Sequence, residues 1–186
     1  MPSTMEQATG PSLVRLSRVG DLEPLFCVLH QSTSSWIVAT EMSDDSLDLD
    51  GLCLLPTATI RCFDRVFEDA DYYRAAVGAF AFVAPHGDLR EALTCDLETD
   101  LMLLAARNIV VSVYPELDEP DTCFVGWVHE LGAKELVLDT ISSHGVAHDG
   151  LWRVAIEDIT KIEIGTRYLV AVTHAARVLS GEAANT

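Results

Sequence analysis

Hydrophobic positions in this chain come in short stretches with a period near two, separated by turn residues. In the C-terminal half, Phe124-Val125-Gly126-Trp127-Val128 is apolar and rich in β-formers, Leu131-Gly132-Ala133-Lys134 supplies turn residues, and Leu136-Val137-Leu138 resumes the apolar run. That pattern predicts a hairpin. After a polar loop from Ser142 to Gly150, residues 152–156 alternate, and after Glu157-Asp158 residues 159–164 alternate again. Period two places one face of a strand in a core and the other in solvent.

The N-terminal half repeats this order as residues 25–29, 36–40, 52–55 and 59–63. The copies superimpose without a gap through their middle. Asp149-Gly150-Leu151 follows Asp50-Gly51-Leu52 by 99 residues, and the same offset joins His129 to His30, Val137 to Val38, Ser142 to Ser43 and Ile159 to Ile60. Such self-similarity decides the architecture. One more strand precedes each copy, at 13–19 and 109–114, running on to Glu23-Pro24 and Glu119-Pro120. Each unit therefore has five short strands, few enough that closing into a small barrel would bury one face and remove the sheet edges.

Three helices complete the prediction. Thr166 can cap residues 167–179, where Tyr168, Leu169, Val172, Ala176 and Leu179 form one stripe before Gly181. Asp71 precedes Tyr72, Tyr73, Ala76, Val77 and Phe80 in the same role in the first copy. Asp88 and Glu91 give a capping-box-like start to a helix through Arg107, with Leu89, Leu93, Leu97, Leu101 and Leu104 along one side. The expected organisation is mainly β with α: a mobile tail over 1–11, a first barrel over 12–86, a connecting helix over 87–107, a second barrel over 108–181 and a tail over 182–186.

This strand order, with a long loop ahead of each Asp-Gly-Leu motif and an isoleucine-bearing last strand, resembles the Sm-like and SH3-like small barrels, in particular bacterial proteins of that shape. The resemblance implies two tandem five-stranded barrels, each followed by a helix, with a helix between them. It also implies edge-to-edge assembly, and hence a protein partner or a second copy of the chain. Sm-like barrels that bind RNA carry an Arg-Gly or its equivalent near the last turn. The corresponding places here hold Ile60-Arg61-Cys62 and Ile159-Thr160-Lys161, without the glycine, so those residues do not carry over.

Composition narrows the function classes. Of 186 residues 49% are hydrophobic, which is ample for a core and excludes wholesale disorder. The longest apolar stretch, 75–84, is too short for a membrane helix, and residues 1–6 lack the features of a signal peptide, so no membrane association and a cytoplasmic location are expected. The five cysteines include no C-x-x-C pair and mostly sit inside apolar strand patterns, as reduced buried thiols do. A formal charge of −17 would repel a polyphosphate backbone, so nucleic acid is not an expected partner.

Candidate chemistry is sparse. His144, His148 and Asp149 could supply two imidazoles and a carboxylate to a zinc or iron ion, although the glycines around them predict a loop, not a metal-binding helix. His30 and His129 occupy one repeated position and are the candidate binding residues; the simpler role for them is a hydrogen bond to backbone. Residues 43–50 carry Asp44, Asp45, Asp48 and Asp50 without the spacing of a calcium loop, and read as a solvated acidic loop. There is no G-x-S-x-G, Walker or G-x-G-x-x-G motif, and no cofactor is expected. The function expected is a non-enzymatic interaction or assembly module. The alternative is a metal-dependent or small-molecule enzyme with a site at a cleft between the barrels, and the third reading is RNA binding.

Overall fold

The computed structural model describes residues 12–19, 23–42, 48–65, 70–73, 87–120 and 122–181. The chain divides into two compact units, Met1–Leu97 and Glu98–Thr186. In the first, strands β1 (Ser12–Arg18), β2 (Leu25–Ser32), β3 (Trp36–Met42), β4 (Leu49–Pro56) and β5 (Ile60–Asp64) form an antiparallel sheet in the order β5-β1-β2-β3-β4. In the second, β6 (Val110–Tyr114), β7 (Phe124–Leu131), β8 (Glu135–Ile141), β9 (Ala147–Ala155) and β10 (Lys161–Ile164) form the order β10-β6-β7-β8-β9. The helices are α1 (Gly87–Ala92), α2 (Leu97–Ala106) and α3 (Arg167–Leu179).

The two sheets share their register. Cys27 faces Glu41 and Leu29 faces Ala39 in the first, while Gly126 faces Thr140 and Val128 faces Leu138 in the second, each 99 residues on. Both ladders then slip by one residue on the same strand, leaving His30 and His129 as the extra residues of two equivalent β-bulges. The Asp-Gly-Leu motifs are bulges as well: they interrupt β4 and β9 opposite Thr40 and Thr140, with Gly51 at φ 66° and Gly150 at φ 126°. Positive φ is the reason for glycine there.

Closed barrels do not form. Each sheet is open: the turn Thr57–Thr59 leads β4 into β5, which pairs with β1, and Ile156–Asp158 leads β9 into β10, which pairs with β6. Among the described residues no pairing joins β4 to β5 or β9 to β10, so neither five-stranded set closes on itself. The expectation of two Sm-like or SH3-like barrels is corrected accordingly. The expected connecting helix over 87–107 is two helices, broken over residues 93–96 where Cys95 adopts φ 60°, and the boundary between the units falls inside α2. Residues 70–73 are helical, as expected from Asp71, but Ala76, Val77 and Phe80 lie outside the described residues. So do Asp44, Asp45 and the two tails.

Packing explains why the strands read as nearly continuous apolar runs. One face of the first sheet joins Val14, Leu16, Cys27, Leu29, Ile37, Ala39, Cys53 and Leu55 in one buried cluster. Its other face buries Leu13, Val28 and Met42 against Phe26, Leu49 and Tyr73, with the Phe26 and Tyr73 rings stacked at 4.8 Å. A strand covered on both faces loses its polar alternation. In the second unit α3 lays Leu169, Val172 and Ala176 on Val110, Val125 and Ile141. Fully burying a side chain such as Leu169 contributes about 1.5–3 kcal/mol. Thr166 starts this helix as predicted, its side chain accepting from the Leu169 N–H at 3.2 Å. No helix among the described residues is long and apolar enough to cross a membrane.

Candidate functional site

A cleft in the second unit lies between the C-terminal part of α3 and the strands β7, β8 and β9. Trp127 on β7, Ile141 at the end of β8, Val146 and Ala147 at the start of β9, and Ala176 and Leu179 on α3 line a cleft of about 630 Å³. Its polar lining comes from Asn108, Arg177 and Ser180. That volume falls in the range of ordinary ligand sites.

Local sequence builds each wall. Asn108 caps α2 in the left-handed region at φ 52°: its N–H donates to the Ala105 carbonyl and the Ile109 N–H to the Leu104 carbonyl, both at 3.0 Å. Gly145, at φ +75°, closes the turn before β9 and rests on α3, where an added Cβ would meet the Ala175 Cβ at 2.8 Å. The turn can touch the helix only through a residue without a side chain. Trp127 brings an indole N–H that is buried and has no acceptor among the described residues.

Charge at this cleft differs from the rest of the molecule. Among the described residues no acid lines it, in a chain with 29 acids and 12 bases. Helix α3 itself carries Arg167, His174 and Arg177 and no acid. Arg177 has no carboxylate partner among the described residues, whereas Arg15 pairs with Asp64 at 2.8 Å and Lys161 with Glu163 at 2.8 Å.

The residues singled out in the sequence are not brought together. His144 is exposed in the turn before β9, its Nδ1 at 3.3 Å from the Ser143 hydroxyl. His148 is exposed, and with Asp149 and Gly150 it belongs to the β9 bulge. Among the described residues no three His, Cys, Asp or Glu side chains gather as a metal set. His30 is buried and its Nε2 lies 2.8 Å from the Thr40 hydroxyl. Burial, helped by the charge of Arg90, lowers its pKa from 6.5 to about 4. His129, its counterpart, is exposed.

Sequence reading missed a polar cluster between β6 and β10. The Lys161 ammonium bonds Glu163 and lies 4.5 Å from the Tyr114 ring centroid, while the Tyr114 hydroxyl donates to Glu163 at 2.8 Å. Lys161 and Glu163 are only 11% and 16% exposed at their side chains, so the pair is held in a largely dry setting. Cys123 lies beside it. Burial and the Glu163 carboxylate push its thiol up, against opposing pulls from Lys161 and the Tyr114 hydroxyl. A thiol held protonated is a poor nucleophile. The available signal was Lys161-Ile162-Glu163, two opposite charges on one face of a strand, but its partner Tyr114 comes from a strand 47 residues earlier.

Comparison of the chain with protein-family models, with curated proteins and with solved structures found no match.

Proposed function

We propose that the chain is a non-enzymatic interaction or assembly module whose contact surface includes α3 of the second unit. The observation that carries this reading is that α3 is apolar on two sides. Leu169, Val172 and Ala176 are buried on the sheet, yet Tyr168 is 45%, Val170 54%, Val178 56% and Leu179 63% exposed. Apolar side chains left in water beside an apolar cleft fit a partner surface. The two cysteines near the surface, Cys62 and Cys123, are free thiols, which supports a reducing compartment such as the cytoplasm.

Light scattering of the purified chain at micromolar concentration, together with capture of partners from lysate, tests the reading. Species larger than 20.3 kDa or a retained partner are expected. A monomer that retains nothing would overturn it.

A further inference from the structure

The second unit carries a feature that matches its own cleft in shape and charge. Between β6 and β7 the chain reads Pro115-Glu116-Leu117-Asp118-Glu119-Pro120, and Leu117 stands 49% exposed among acids. This turn is held in place. The N–H groups of Asp118 and Glu119 both donate to the Pro115 carbonyl, at 3.0 and 2.8 Å, Thr122 N–H donates to Glu119, and the Glu116 carboxylate accepts from the Thr160 hydroxyl. Pro115 is buried beneath it. An apolar side chain on a fixed turn, flanked by exposed Asp118 and Glu119, is ordered before any partner arrives, which lowers the entropy lost on docking.

We propose that Leu117 of one copy of the chain seats in the α3 cleft of a second copy, with Asp118 and Glu119 against Arg177. The inference rests on the interaction reading above and names its contact. Charge complementarity selects the occupant. In a chain of net charge −17 two copies repel at long range, so self-association needs a place where acid meets unpaired base. Arg177 provides one, at the rim of a cleft with apolar walls and, among the described residues, no acidic lining. The knob and the cleft are different patches of the same unit, so a pair of copies satisfies both only if two seats form reciprocally; otherwise the contact propagates from copy to copy.

Sedimentation velocity on the full chain from about 1 to 200 µM reads the contact. Leu117→Asp and Arg177→Glu are each expected to weaken self-association at least tenfold, with unchanged far-ultraviolet circular dichroism showing that both still fold. An equimolar mixture of the two variants should associate more strongly than either alone, since one retains the cleft and the other the knob. Reversing the acids, Asp118→Lys with Glu119→Lys, should weaken association in the wild-type background and restore it in Arg177→Glu. Self-association unchanged in these variants overturns this contact while the interaction reading stands. A monomeric wild type that still captures a partner from lysate has the same meaning, and one that captures nothing removes both.

Discussion

The two units set the same backbone register in different surroundings. At the bulge of the first sheet, His30 is buried and bonded to Thr40; at the bulge of the second, His129 and the counterpart of Thr40, Asp139, are both exposed. The difference comes from α1 and the segment after it. Thr33 donates to the Cys95 carbonyl at 3.2 Å, the Cys95 thiol reaches Gln31, and Arg90 is close enough to act on His30, so this segment covers the end of β2. Among the described residues of the second unit, His129 on β7 is left exposed. A shared register therefore fixes where a residue sits on its strand and leaves its burial to what packs above.

The greatest contrast is at Cys27 and Gly126, equivalent positions filled by a buried thiol and by nothing. A Cβ at Gly126 would lie 2.9 Å from the Thr140 Cα and closer still to the Asp139 carbonyl, because β7 and β8 approach more tightly than β2 and β3 can. Gly126→Cys, which copies the first unit into the second, is expected to cost about 3 kcal/mol or more, at or above the top of the usual range for overpacking because the obstructing atoms are backbone. Urea unfolding monitored by tryptophan fluorescence measures it; a loss under about 1 kcal/mol would mean that the strands move apart at little cost.

The charge pairs on β1–β5 and β6–β10 come next. Asp64 and Glu163 are equivalent positions, but the Arg15–Asp64 side chains are 35% and 32% exposed while Lys161–Glu163 are 11% and 16%. Removing a partner from the drier pair leaves a buried ammonium, so Glu163→Gln should cost about 3 kcal/mol and Asp64→Asn under about 1 kcal/mol. Equal losses in parallel unfolding curves would show that exposure does not separate the two pairs.

The smallest effect concerns pH. The folded state holds His30 near 4 and the unfolded chain near 6.5, so acid favours the unfolded chain. The stability present above pH 6.5 should fall as pH drops from 6.5 to 4, by on the order of 2 kcal/mol, and the slope should flatten in His30→Gln. A wild-type curve with no slope across that window would place His30 in water.

Some of this was legible along the chain. Strands announced themselves through their period and through the repeat, and Thr166 through its place before an apolar stripe. The break in the expected connecting helix was hidden because Leu89 before it, Leu93 within it, and Leu101 and Leu104 after it are all buried. Spacing reports which positions are covered and is silent on whether the helix between them is continuous. Strand count likewise sets how much face must be buried, but which strand ends meet depends on where two short turns send the chain. The cleft was out of reach for the same reason, since it needs β7, β8, β9 and α3 together with the end of α2. The connection that carries Leu117 is longer than its counterpart: Leu13 pairs with Val28 and Val110 with Trp127, so the offset grows from 97 to 99 across it.

The bulge residue is held in place by its neighbours more than by its own chemistry. Dropping it from either strand would exchange the inward and outward sides of everything beyond, so Gln31 and Ser32, or Glu130 and Leu131, would trade faces. Buried in one sheet and wetted in the other, the imidazole keeps no common task. What the halves preserve at that point is a count of atoms along the backbone.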